Sequence, residues 1–279
     1  MKYLKNAFEL YINSSIHVSL AVVAFTLITI FQHDLQLEKN LIFFIFFSSI
    51  TGYNFVKYAG IAKLHHLSLA QNLRIIQIFS GICFLALIYF CLQLEVDVLI
   101  ATGILGVFTL FYAIPIFGAG KNLRSLPGLK IFIIAIVWAG STEILPLINA
   151  EKYLGTELIV DFLQRLMLVV VLTLPFEIRD LNFDNEELGT IPQLLGSFKT
   201  KVFGSVLIVL IFLIELFQNS FNSNEFLALI IVLLISGIML WKAKEFQNKY
   251  YSSFWVEAVP IFYLGIYLTF KFALPQIPF

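Results

Sequence analysis

Glu177-Ile-Arg-Asp180-Leu-Asn-Phe-Asp184-Asn-Glu186-Glu187 places five acidic residues within eleven positions of a chain that is otherwise almost wholly apolar. Carboxylates are costly near a bilayer and rarely cluster there without a cation to hold or a proton to move. On a helix, Glu177, Asp180 and Asp184 stand at i, i+3 and i+7 and share one face. A row of carboxylates where a membrane helix meets water suits Mg²⁺, which takes a few carboxylates together with substrate phosphate oxygens. The same run also reads as a solvated acidic loop paired with Arg179 and Lys199. Gly189-Thr190-Ile191-Pro192 then turns the chain back toward the next apolar segment.

Around this stretch the composition is that of a polytopic membrane protein. Of 279 residues, 59% are hydrophobic and 13% charged, against about 25% charged in soluble domains. Net charge is zero, so nothing points to nucleic acid. Cys83 and Cys91 share one apolar segment and read as small fillers. The first apolar segment follows Lys2 and Lys5 and reads as a retained helix. Nine stretches are long enough to span, near 14–32, 41–58, 75–94, 97–116, 130–148, 158–177, 201–218, 224–242 and 254–273. With the N-terminus inside, fourteen of eighteen Lys and Arg fall on the cytoplasmic side, the orientation that the positive-inside rule predicts for an inner-membrane protein. The acidic stretch lies on that same side, facing a basic rim suited to a metal–diphosphate ligand.

Several further residues bear on chemistry. Asn54, Lys57 and Tyr58 lie at i, i+3 and i+4, on one face at the cytoplasmic end of the second span. There the Lys57 ammonium either offers charge to a diphosphate or snorkels to the interface. His65 and His66 are adjacent, point to different helix faces and read as interfacial packing. His17 reads as a hydrogen-bonded pocket residue. Glu143 and Arg165 are charges inside adjacent spans at comparable depth, which predicts a structural ion pair. Glu215 and Glu257 stay ambiguous between roles.

Arg179-Asp180-x-x-x-Asp184, Gly189-Thr-Ile-Pro192 and Leu194-Leu-Gly196 resemble the second aspartate-rich motif of the UbiA superfamily of intramembrane prenyltransferases. Tyr112-Ala-Ile-Pro115, then Lys121, Arg124 and Gly128-Leu-Lys130, resemble that family's stretch after its fourth helix. The resemblance covers nearly the whole chain and implies one all-α transmembrane domain over 1–279, nine helices around a central cavity. It implies two acidic motifs holding Mg²⁺ on a prenyl diphosphate, ionisation to an allylic cation, and capture by a lipophilic or aromatic acceptor. Asp180 and Asp184 match metal ligands and catalytic residues. Glu177, Tyr112, Lys121, Arg124 and Lys130 match substrate-binding positions, and Asn54 and Tyr58 stand at the first motif. That motif departs from the family pattern Asn-Asp-x-x-Asp-x-x-x-Asp. Here it reads Asn54-Phe-Val-Lys57-Tyr58-Ala-Gly-Ile-Ala62, with Phe55, Tyr58 and Ala62 in place of the acids. One metal aided by Lys57 is one consequence. A catalytically inactive or isoprenoid-binding relative is the other. A transporter fits less well, because the polar residues collect at one face instead of at midplane helix breaks.

Overall fold

The computed structural model describes residues 2–58, 70–114, 122–123, 126–152, 155–184, 188–217 and 222–273. His65, His66, Ala62, Lys121, Arg124, Glu186 and Glu187 lie outside them. Among the described residues there are helices and no strands. They are α1 (Lys2–Asn13), α2 (Ile16–Gln32), α3 (Lys39–Tyr58), α4 (Ala70–Cys91), α5 (Val96–Ala113), α6 (Lys130–Ala139), α7 (Leu145–Asn149), α8 (Thr156–Asp180), α9 (Ile191–Leu216), α10 (Ser223–Lys242) and α11 (Val259–Leu268). Three π-helical turns, Gly140–Ile144, Tyr251–Val256 and Thr269–Ala273, extend α6, precede α11 and follow it. Among the described residues, eight helical stretches are long and apolar enough to cross a membrane, or nine if the bent α1–α2 pair counts as one. The chain is an integral membrane protein.

The bend between α1 and α2 is 57°. Its cause is local: Ser15 takes a left-handed φ of 65°, which ends α1 and lets α2 start afresh. The expected first span, 14–32, thus corresponds to α2, and α1 is a separate helix before it. Glu9 of α1 is tied to Lys249 and Tyr250 in the α10–α11 connection, at 3.5 and 3.2 Å.

Helix α8 lies at the centre. Leu168 to Leu172, Leu174 and Ile178 are buried, packed with Phe25 and Ile28 of α2, Ile131 and Ala135 of α6, and Val232 of α10. Burial ranks the helices: 61% of the 130–149 span is covered by protein, but only 11% of α4 and of α5. Apolar side chains left uncovered on α4, such as Ile82 and Leu85, face lipid, where exposure carries no hydrophobic penalty. Cys83 is buried and Cys91 partly so, both free, as fillers would be.

Two element boundaries differ from the sequence reading. Helix α8 runs on to Asp180 and α9 begins at Ile191, ten residues before the expected start at 201. Pro192 in the first turn of α9 pre-sets φ, and Gln193 accepts the Thr190 backbone N–H at 2.8 Å, so the helix is nucleated there. Gly196, at φ 79° and ψ 159°, then breaks its direction.

Candidate functional site

Chain alternation brings the ends of α3, α5 and α8 and the starts of α6 and α9 to one face of the bundle, the acidic end. Glu177 and Asp180 occupy the last turn of α8, where the helix macrodipole disfavours anions. Lys130 is the first residue of α6, where the dipole disfavours a cation. These misplaced charges answer one another. Lys130 Nζ stands 2.8 Å from Glu177 Oε1 and 3.0 Å from Asp184 Oδ2. Glu177 is 4% exposed and Lys130 12%, dry enough for the pairing to count.

Asp184 lies beyond α8, in a turn closed by its own backbone N–H to Asp180 O at 2.8 Å. Its carbonyl accepts from Gln193 Nε2 at 3.3 Å, which ties the turn to α9. Asp180 points elsewhere: the Arg179 guanidinium donates to both its oxygens, at 2.7 and 2.9 Å. The row of three carboxylates is therefore split. Glu177 and Asp184 converge on one cation, while Asp180 forms a separate pair.

Gly189, just before α9, approaches the α5–α6 connection at Pro127. Its φ is +51°, and a Cβ there would meet Pro127 Cβ at 2.7 Å. Only glycine allows so close an approach in this conformation.

The first-motif positions form a second polar patch. Asn54, 3% exposed, accepts from Ser15 Oγ at 2.8 Å and donates to Ser14 O at 3.1 Å and Ser80 Oγ at 2.8 Å. Lys57 Nζ donates to Ser15 Oγ at 2.9 Å, and Tyr58 Oη donates to Asn13 O at 3.0 Å. All three residues of the α3 face thus bind the α1–α2 junction. Phe55 is exposed and Tyr112 buried. His17 is buried and hydrogen-bonded, the latter as expected: Nε2 donates to Phe254 O at 2.9 Å, so Nδ1 is left to accept from Tyr11 Oη at 2.8 Å.

Glu257 lies within electrostatic reach of Lys57 in one patch and of Arg179 in the other. Sequence reading left it ambiguous, although one acid in the apolar run Phe254-Trp-Val-Glu257-Ala-Val-Pro-Ile-Phe262 was itself a signal. The Glu143–Arg165 ion pair is present at 3.2 Å, reinforced by Thr29. It lies at the opposite end of the bundle from Asp184.

No family profile and no curated protein matches the chain. Two solved structures share its fold. One, from work on digeranylgeranylglyceryl phosphate synthase in membranes, superposes with TM-score 0.60 at 17% identity, over 98% of this chain and 100% of that one. The other, a UbiA homolog from Archaeoglobus fulgidus, gives TM-score 0.53 at 10% identity, over 97% and 99%. The chain has the UbiA-like fold that its second aspartate-rich motif implies.

Proposed function

We propose that the chain is a divergent UbiA-type intramembrane prenyltransferase. It would be one transmembrane domain over 1–279, its acidic end cytoplasmic, moving an isoprenyl group from a prenyl diphosphate to a lipophilic or aromatic acceptor. The carrying observation is the convergence of Glu177 and Asp184 on a single cation position, held by the Lys130 ammonium. Hard carboxylate oxygens meeting at one point suit Mg²⁺ as well as an ammonium. Glu177 and Asp184 would hold the ion, with Asp180 joining them on release from Arg179; when bound, the ion would supply charge neutralisation to a departing diphosphate.

The chain's own residues account for the rest. Lys130 exchanges its carboxylate partners for diphosphate oxygens as substrate enters, which releases Glu177 and Asp184. Lys57 supplies charge from the α3 side, where the family's acids are replaced, and Asn54 fixes that face on Ser14, Ser15 and Ser80. Lys121 and Arg124 add positive charge from the α5–α6 connection, and Tyr58 and Tyr112 border the allylic group. Stabilisation of the leaving group is then mainly electrostatic.

A second reading, a diphosphate- or isoprenoid-binding protein without turnover, is favoured by one observation: Asp180 and Asp184 are each already neutralised by a chain cation. Pyrophosphate release from geranyl, farnesyl and geranylgeranyl diphosphates, with and without Mg²⁺, decides between them. Release that needs Mg²⁺ and is lost in Asp184→Asn supports the transferase. Saturable binding of the same diphosphates without release supports the inactive reading. Neither binding nor release refutes both.

A further inference from the structure

We propose that His33, Glu143 and Asp161 bind one first-row divalent cation, Zn²⁺ in type, at the end of the bundle opposite Asp184. The proposal goes beyond the transferase reading and does not depend on it. Chain alternation brings to this end the last residues of α2, the Gly140–Ile144 π turn, the first turns of α8 and the facing ends of α9, α10 and α11. Together they line a small, half-open pocket of about 40 Å³, bounded in part by Glu143, Asp161, Glu215 and Glu225 against Arg165. None of these charges is without a partner. Arg165 answers Glu143, Lys271 answers Glu225 and Asp34 at 3.7 and 3.0 Å, and Gln164 donates to Glu215 at 3.0 Å.

His33 is placed differently. Its Nε2 stands 3.4 Å from Glu143 Oε1 and 3.5 Å from Asp161 Oδ2, and the three ligand atoms lie within 4.8 Å of one another. A charge-assisted hydrogen bond from a ring nitrogen would close to about 2.7–2.9 Å on one oxygen. Here one nitrogen faces two oxygens evenly, at longer range. Two ligands bonded at 2.0–2.1 Å to a tetrahedral cation stand about 3.3–3.4 Å apart, which is close to this spacing.

The surrounding groups orient the donors. Glu143 Oε2 takes Thr29 Oγ1 at 2.8 Å and Arg165 at 3.2 Å, which leaves Oε1 turned toward His33. Such support of a ligand's far oxygen is what a metal carboxylate needs. Glu143 reaches this point from a π-helical turn, an irregularity common at functional positions. Two carboxylates and an imidazole are donors that suit a divalent first-row cation, with Arg165 offsetting part of the Glu143 charge. Three protein ligands beside a pocket leave a fourth position open, the pattern of an exchangeable site.

Full-length protein in detergent, stripped with chelator and titrated with Zn²⁺ alone by calorimetry, tests the proposal. The expected result is one Zn²⁺ per chain, bound at least tenfold more weakly by His33→Ala and by Asp161→Asn. Both variants should bind less while melting, metal-free, close to the parent. Glu143 is left intact because its loss would strand Arg165. If His33→Ala does not fold, X-ray absorption of the Zn²⁺-loaded parent decides: imidazole scattering in a nitrogen/oxygen shell supports the site, and its absence overturns it. No binding by the parent overturns the proposal, as does unchanged affinity in both variants. Binding lost in Asp184→Asn but kept in His33→Ala overturns it too, because the ion would then sit at the other end.

Discussion

Lys130 pairs with one carboxylate on α8 and one in the turn beyond it, so its removal tests whether the acidic end is built or merely hydrated. Lys130→Ala leaves Glu177 and Asp184 uncompensated. Breaking a pair this dry costs about 3 kcal/mol, read as a lowered melting midpoint in detergent. Adding Glu177→Gln should recover part of that loss, because the neutral amide needs no counter-charge. An unchanged midpoint in Lys130→Ala would return the cluster to a solvated loop. A second cycle concerns Arg165, which bonds Phe25 O, Thr29 and Glu143 and lies 4.5 Å over the Phe25 ring. Arg165→Met should destabilise by about 3 kcal/mol or more, and Glu143→Gln in the same chain should restore a measurable share. At this scale the sequence was uneven. Glu143 and Arg165 could be paired in advance, because two charges at one depth in neighbouring spans have few other partners. The bond from Lys130 to Glu177 could not, because nothing local links residues so far apart. His33 lies just past the expected end of its span and carried no pattern.

Helix ends decide how these side chains meet. The expected helical row Glu177–Asp180–Asp184 assumed that one helix continued through all three. Helix α8 stops at Asp180, and the turn after it redirects Asp184. The expected start at 201 follows the continuous apolar run and leaves 191–200 in the loop, whereas Pro192 and Gln193 carry the real start signal. Lys201 is accommodated by donating to the carbonyls of Trp241 and Ala243, at 3.0 and 2.7 Å. Gly189→Ala tests whether the loop contact matters. The substitution adds a left-handed strain and a clash with Pro127, together about 1–3 kcal/mol. On the proposed reading, diphosphate binding should fall with it, because Asp184 would lose its place beside Glu177, where the two would share a cation. Gly196→Ala, with nothing within 4 Å of its Cβ, should strain the kink in α9 and leave the Lys130–Asp184 ion pair in place. Diphosphate affinity in the two variants, measured side by side, separates loop placement from backbone strain.

For the molecule as a whole, the distribution of Lys and Arg and the alternation of spans predict that the two polar ends open to opposite sides of the membrane. Phe183 is 77% exposed beside the acidic end, and Gln93 lies between α4 and α5 at the other. With the native cysteines replaced, Phe183→Cys should react with an impermeant thiol reagent only from the cytoplasmic side, and Gln93→Cys only from outside. Labelling of both from one side would overturn the topology. The fold itself was legible because nine apolar stretches and one acidic motif leave few arrangements. The opposite pocket was not, because its residues come one or two from each of several helices, and each looks like an isolated helix-end polar group.

Between these two ends α8 presents Leu166, Met167, Leu168, Val169, Val170, Val171, Leu172, Thr173 and Leu174, and the Thr173 hydroxyl is spent on its own helix at Val170 O. From Arg165 to Glu177 this helix rises about 18 Å without a side chain on which a proton can rest. An unaccompanied charge crossing so apolar a stretch faces a barrier of tens of kcal/mol. Along α8, therefore, the two polar ends are electrically separate.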